Sequence, residues 1–307
     1  MKAVTVTEFG TPPELREVPE PTVGPGRILV RVEASSVNWL DAGIAQGVFQ
    51  DVAPHESPVT LGRDFAGVVE AVGPGVTGVK AGVRVFGEVP LGVPIGNGAW
   101  AERIVIGTDA FVPTPAGVDT VTAGAAGLAA VTAVMTFDAL DLRPGQTLAV
   151  VGATGGVGGM VAQLARAAGA VVVAPGLSED ETYLHGLGVT AVLPRGGDVV
   201  AVVRERYPEG VDALVDAVTS YRPTPYASAV GDGGRIASPT GAAGEGRGRT
   251  NIVHAPTAGI LRRVALYLED GTITVTVGRT FALSEAPEAL RALTGGHTRG
   301  KIALRVA

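Results

Sequence analysis

The sequence predicts an α/β protein with an irregular β-rich first part and a doubly wound parallel sheet after it. Three observations carry this. Short strands broken by prolines fill the first 115 residues or so. From residue 120 onward, strands and helix-like runs alternate. One of those strands runs straight into clustered glycines, with a helix opening behind them. Strands alternating with helices of that length close right-handed βαβ units, which produce a parallel sheet covered on both faces.

In chain order, residues 27–36 (RILVRVEASS) alternate apolar and polar side chains as a half-buried strand does. Residues 65–72 (FAGVVEAV) and 83–86 are further β-rich runs between Gly and Pro punctuation. In the second part the predicted strands are 148–151, 171–174, 191–193, 212–216 and 235–237, with helices over 158–168, 179–187 and 199–207. A loop at 241–248 (GAAGEGRG) follows. The tail reads as an amphipathic helix (257–269), a strand (272–277), a short helix (285–293) and a final strand (302–306).

Composition narrows the function. With 307 residues, 46% hydrophobic and 18% charged, the chain can bury a sizeable core. A net charge of −6 and the lack of any basic run argue against a nucleic-acid partner. There is no cysteine, hence no disulfide, no thiolate metal site and no cysteine nucleophile. Residues 1–10 carry Lys2 and Glu8 without an apolar core, so no signal peptide is expected. Two uncharged stretches, 120–137 and 144–165, approach membrane-span length, but their Gly, Ala, Thr and Gln content fits buried elements better. The expectation is a cytoplasmic protein without a membrane partner.

The strongest chemical signal is residues 148–159, LAVVGATGGVGG. Glycines between a strand and a helix let the backbone approach a diphosphate, whose charge then meets free N–H groups at the helix start. Gly152, Ala153, Thr154, Gly155, Gly156, Val157 and Gly158 are the expected contacts. The match to G-x-G-x-x-G is imperfect, with Ala153 at the first glycine position. The bland alternative is a tight strand–helix turn without a ligand. NAD sites usually place an acid about 20 residues on, at the end of the next strand. Here residues 171–178 (VVVAPGLS) hold none, which leaves room for a 2′-phosphate and favours NADP(H). Ser178 is then a candidate donor and Arg195 a candidate cation. Ser178 could instead cap a helix in a box with Glu181, and Arg195 could be a solvated loop residue.

Residues 62–85 (GRDFAGVVEAVGPGVTGVKAGVRV), 97–106 (NGAWAERIVI), 152–158 (GATGGVG) and 300–304 (GKIAL) together resemble the medium-chain dehydrogenase/reductase superfamily, in its zinc-independent quinone oxidoreductase-like branch. The resemblance runs colinearly over essentially the whole chain. It implies a GroES-like catalytic domain (1–119), a Rossmann nucleotide-binding domain (120–252), a return to the catalytic domain (253–307), and a cleft at their junction. Zinc-dependent members carry a Cys near Ser35, Ser36 and Asn38, and a His where Arg63 stands between Gly62 and Asp64. The four-cysteine zinc lobe is also absent. His55, His185, His254 and His297 are scattered, so no metal is expected.

Without a Lewis acid, a conjugated acceptor is the easier substrate, because hydride addition gives a delocalised oxyanion that a few hydrogen-bond donors can stabilise. Residues 37–47 (VNWLDAGIAQG) resemble the N-x-x-D segment of quinone oxidoreductases and polyketide enoyl reductases. That implies Asn38 orienting the acceptor oxygen and Asp41 bracing the loop; a turn-forming role for Asn38 is the alternative. Trp39 stands where some enoyl reductases have a Tyr, so no proton donor is assigned. Trp39, Phe49 and Trp100 are candidate walls for a planar substrate, or plain core. The resemblance adds Thr132, Val218, Ser238 and Thr240 as cofactor contacts. It also implies a homodimer through an edge strand near 250–254. The expected function is an NADPH-dependent quinone or enone reductase acting on a small molecule. The alternatives are an enoyl reductase of a polyketide-like pathway, or an NADPH-binding sensor without turnover.

Overall fold

The computed structural model describes residues 1–51, 53–92 and 94–306. The first elements are β1 (Lys2–Val6), β2 (Glu14–Glu17), β3 (Arg27–Val37), α1 (Trp39–Ala45), β4 (Val59–Thr60), β5 (Asp64–Val72), β6 (Arg84–Glu88), β7 (Arg103–Gly107) and β8 (Phe111–Pro113). Helices α2 (Thr120–Gly124) and α3 (Gly127–Leu140) follow. Next come β9 (Thr147–Val151), α4 (Gly156–Ala167), β10 (Val171–Gly176), α5 (Glu181–Gly186), β11 (Ala191–Pro194), α6 (Val199–Arg206), β12 (Val211–Asp216), β13 (Val230–Ser238) and β14 (Arg249–Asn251). The chain ends with α7 (Ala258–Glu269), β15 (Val277–Ala282), α8 (Ala286–Thr294) and β16 (Lys301–Arg305).

Two compact units result. The first comprises Met1–Ala129, Pro256–Glu269 and Val275–Ala307; the second comprises Ala130–Ala255 and Asp270–Thr274. These limits differ from boundaries at 119/120 and 252/253. The reason is local packing. Helix α2 lies against β3 and β5, and a side chain at Gly124 would strike the Ala34 backbone. Residues 270–274 join the second unit because the Gln163 amide clasps Thr274, accepting from its N–H at 2.8 Å and donating to its carbonyl at 3.1 Å.

In the first unit, β3 is the organising strand. It pairs antiparallel with β5, β7 and β16, and Ile28, Val30 and Val32 face the core in strict alternation. From Ala34 to Val37 the alternation gives way to four buried residues in a row. Among them, Ser35 and Ser36 are buried polar groups that need hydrogen-bond partners, and they lie beside the polar cluster described below.

The second unit is the doubly wound sheet. Among the described residues its strands run in the order β11-β10-β9-β12-β13-β14, all parallel. The chain order is therefore third, second, first, fourth, fifth, sixth. Its winding reverses between β9 and β12, and ligands of open α/β sheets bind beyond the carboxyl ends of the strands at such a point. Both stretches tested as membrane spans fall into short elements, and no helix among the described residues is long and apolar enough to cross a membrane.

The strand expected over 272–277 is not formed. The strand of the tail is β15, paired parallel with β16 from Val277 onward. Ile273 and Val275 are buried as the alternation requires. Yet the backbone at 274 is bound to Gln163, and Thr276 accepts from the Lys301 N–H at 2.8 Å. The helix expected over 179–187 is likewise split, into a 3₁₀ turn at Ser178–Asp180 and α5.

Candidate functional site

The glycine turn leaves β9 at the reversal point of the sheet. Gly152 takes φ +90°, a conformation that disfavours any side chain. A Cβ at Gly152 would also lie 2.7 Å from Val218 Cγ2. At Gly158 a Cβ would collide with the Gly152 carbonyl, so this glycine lets helix and turn pack. Gly155 is different. Its φ of −82° and ψ of 173° are open to any residue, and a Cβ there would meet only the Gly152 oxygen, at 3.5 Å. Folding does not demand a glycine at 155. Its missing side chain leaves space in front of α4, whose N-cap makes no side-chain hydrogen bond. Uncapped N–H groups facing an unfilled space, at the positive end of a 12-residue helix, form a cradle that fits a diphosphate.

The loops around this turn are tied to one another by hydrogen bonds. Asp216, buried at the end of β12, accepts from the Val218 and Thr219 N–H groups at 3.0 and 2.9 Å and from the Thr224 hydroxyl. Ser238, at the end of β13, donates to the Asp216 carbonyl at 2.7 Å and accepts from the Thr240 and Ala242 N–H groups. The Thr240 hydroxyl donates to the Thr219 carbonyl. Ser238 and Thr240 thus spend their hydroxyls inside the protein and shape the loops, whereas Val218 keeps an exposed side chain beside Gly152. Thr132 on α3 shares a 3.0 Å hydrogen bond with His254 Nδ1.

Ser178 and Arg195 stand at the ends of neighbouring strands. Gly176 and Pro194 are register partners, and the Arg195 N–H donates to the Gly176 carbonyl at 3.1 Å. Both side chains are exposed. The capping box between Ser178 and Glu181 is not formed. The cap of the 3₁₀ turn is Leu177, and neither it nor Asp180, which precedes α5, makes a side-chain cap bond.

The second group of predicted residues lies in the first unit, around the junction of β3 and α1. Asp41 is buried and accepts from the Asn38 N–H at 2.8 Å and the Gly62 N–H at 3.1 Å, so it ties the start of α1 to the chain entering β5. Its oxygens face inward, toward these backbone N–H groups. The Asn38 amide donates to Asp64 Oδ2 at 2.9 Å and accepts from Lys301. Asp64 also accepts from the Ser36 hydroxyl and the Leu128 N–H, and Ser35 donates to its carbonyl at 2.6 Å. Lys301, Asp64 and Ser36 stand in stretches that carry the family resemblance, but the sequence assigned them no part in the site. The one available signal was a lysine opening an otherwise apolar terminal strand.

Arg63 is buried with its guanidinium donating to the Thr60, Pro90 and Asn97 carbonyls. Burial lowers its pKa, while Asp41, Glu88 and Asp64 favour its charge. The positions matching the zinc ligands of the family are therefore filled by hydroxyls, an amide and a guanidinium, all engaged with protein partners. This donor set does not fit zinc.

Of the aromatic candidates, Trp39 opens α1 and is 65% exposed, next to Asn38. Phe49 is half-buried against the core. Trp100 is no pocket wall. It is fully buried, its indole N–H donates to the Ser36 carbonyl at 3.0 Å, and Gly62 (φ +95°) leaves no room between them. It is core because β3 and the Gly62 turn close over it.

Burial pushes the Asp41 carboxyl up to about 6, with Arg63 opposing the shift. A raised carboxyl pKa means that the folded state binds the proton more tightly. Stability from this group is then present below the unfolded pKa and is lost as pH rises through about 6. Relative to an Asp41→Asn variant, the wild-type protein should lose about 2 kcal/mol between pH 4 and pH 7. Urea unfolding of both proteins across that range measures it, and parallel pH profiles would remove the assignment.

A parallel sheet with this strand order and a glycine cradle at its reversal point is the architecture of dinucleotide-binding folds. Residues 24–116 match the model of the alcohol dehydrogenase GroES-like domain, and residues 187–304 that of zinc-binding dehydrogenase. A solved NAD-dependent alcohol dehydrogenase superposes with a TM-score of 0.87 at 28% identity, covering 100% of both chains. The mycobacterial protein Rv1454c, solved in complex with NADPH, gives 0.83 at 26% identity, again over 100% of both chains. A mycocerosic acid synthase-like polyketide synthase of Mycobacterium tuberculosis is 35% identical over 200 residues, 64% of this chain. The chain spans only 9% of the length of the curated synthases it matches. It belongs to the medium-chain dehydrogenase/reductase superfamily of oxidoreductases.

Proposed function

We propose that this chain is a cytoplasmic NADPH-dependent reductase that reduces a small quinone or α,β-unsaturated carbonyl compound without zinc. The observation that carries the reading is Gly155, a glycine that the backbone does not need, fronting an uncapped helix. NADPH, when bound, supplies the hydride. The residues of the chain do the rest. The α4 N-terminus and residues 152–158 hold the diphosphate, and Val218 borders it. Ser178 and Arg195, which follow the paired ends of β10 and β11, receive the 2′-phosphate. Asn38 donates to the acceptor oxygen. A conjugated acceptor suits this chemistry, because its oxyanion is delocalised and needs donors rather than a Lewis acid.

Mixing the NADPH complex with a panel of quinones and enones in a stopped-flow spectrometer tests the activity. Rapid loss of the reduced nicotinamide signal with at least one acceptor is expected. Tight NADPH binding with no hydride loss to any of them would leave a sensor or partner protein. The likeness to a segment of a polyketide synthase favours one second reading, an enoyl reductase of a polyketide-like pathway, and enoyl thioesters belong in the panel for that reason.

Arg195→Ala addresses cofactor choice. Loss of a charge-assisted contact to phosphate should weaken NADPH about 10- to 100-fold, while NADH changes by less than about twofold. Equal losses for both cofactors would reject the contact. The edge strand β14 is where we place a homodimer contact, since its outer side has no partner strand among the described residues.

A further inference from the structure

Asn38 stands at the N-cap of α1, where an asparagine ordinarily turns its amide oxygen onto the N–H groups of the first helical turn. Here that oxygen is taken by a cation. Lys301, the first residue of β16, donates to Asn38 Oδ1 and to the Val37 carbonyl at 3.3 Å, with Asp64 Oδ2 at 3.6 Å. On the other side of the amide, Asn38 Nδ2 donates to Asp64 Oδ2 at 2.9 Å. A flipped amide would set its NH2 against an ammonium and its oxygen against a carboxylate. One orientation is therefore enforced by charges of both signs. Asn38 and Lys301 are each 6% exposed and Asp64 is fully buried. Water competes little for any of these bonds, and the low local dielectric strengthens them. Asp64 is fixed in turn by Ser36 and by the Leu128 N–H.

An amide NH2 carries two hydrogens. One of them goes to Asp64, and the other meets no acceptor among the described residues. We propose that Lys301, together with Asp64, is a positioning residue that locks the Asn38 amide so that its remaining N–H faces the carbonyl oxygen of the acceptor. This rests on the reductase reading. The ammonium on the amide oxygen also draws electron density from the amide, which makes the remaining N–H a stronger donor as negative charge grows on the acceptor. Lys301 acts through Asn38 and touches no reacting atom. A lysine in this place serves a reductase that has a cation but no metal, because an ammonium behind an amide lends its charge without becoming a ligand itself.

Two measurements test this, and they fail independently. The first is a double-variant cycle. Lys301→Met should lower kcat about 30-fold while leaving NADPH affinity within about twofold, because the donor to the developing oxyanion is no longer held. In an Asn38→Leu background the same Lys301→Met change should cost less than about twofold in kcat, because the residue it acts through is gone. A further full loss in that background would overturn the proposal. The second measurement needs neither turnover nor a variant that folds. The chain has three asparagines, Asn38, Asn97 and Asn251, so selective ¹⁵N-asparagine labelling yields three side-chain amide pairs. The two hydrogens of the Asn38 pair should give separate resonances, and the one bonded to Asp64 should be protected from solvent exchange. Exchange at the rate of a free amide would overturn the lock. If the wild-type protein reduces no acceptor and the amide is protected, the reductase reading falls and the lock stands. If the enzyme is active and the amide unprotected, only the lock falls.

Discussion

Replacing Gly155 by valine should weaken NADPH binding roughly 100-fold in a chain that still folds. The residue's extended backbone accepts a β-branched side chain without strain. The added Cβ would meet nothing of the protein closer than 3.5 Å. The only loss to the fold is the modest preference of helix N-caps for glycine over valine, about 1 kcal/mol or less. The loss to the ligand is larger. The new methyl groups occupy the space before α4 in which a diphosphate must sit to reach the helix N–H groups. Forfeiting one or two charge-assisted hydrogen bonds costs about 3 kcal/mol, or roughly 100-fold in affinity. Gly155→Ala should fall between the two. Titration of NADPH by fluorescence or calorimetry, with circular dichroism as the folding control, reads the effect. Wild-type affinity in the valine variant would show that the turn is only a turn. Gly158→Val offers the contrast, because there the side chain would collide with the Gly152 carbonyl and damage the fold itself.

The second large effect is on stability. Arg63→Met keeps most of the volume of the side chain and removes a buried cation from beside three buried carboxyls, Asp41, Asp64 and Glu88. It also strips the Thr60, Pro90 and Asn97 carbonyls of a shared donor. Breaking a buried ion cluster by removing one member costs about 3–5 kcal/mol, chiefly because the remaining charges stay desolvated. The deficit should shrink on acidification from pH 7.5 to pH 5. Without the guanidinium, which opposes the upward shift of Asp41, this carboxyl binds its proton more readily, and a neutral carboxyl is cheaper to bury. A loss of less than about 1 kcal/mol, or one independent of pH, would show that water already reaches the cluster.

The course of the second unit was legible in the sequence because its signals are local. Strand, glycines and helix follow one another within residues 147–167, and β10 and β11 are short apolar runs that each lead into a helical segment. The glycine turn could be found for the same reason. The first unit was harder, since its strands pair over long separations. Residues 272–277 alternate like a strand, but what decides their fate is Gln163, more than a hundred positions earlier. Trp100 looked like a candidate wall because an aromatic beside glycines reads the same in core or pocket; its burial follows from the Gly62 turn and the end of β3. Asn38 carried a signal in its own segment. The lysine that holds it stands 263 positions away, in a terminal strand whose segment gives no sign of what its ammonium will meet.

The five residues of Asp270–Thr274 belong to the nucleotide-binding unit although the chain on either side of them belongs to the other. A fragment ending at residue 255 would leave both polar ends of the Gln163 amide, on α4 directly behind the glycine cradle, without the backbone they clasp. The nucleotide-binding half is thus not a cassette that can be cut out of this polypeptide at one site. Swapping it between relatives requires carrying the short downstream stitch along with it.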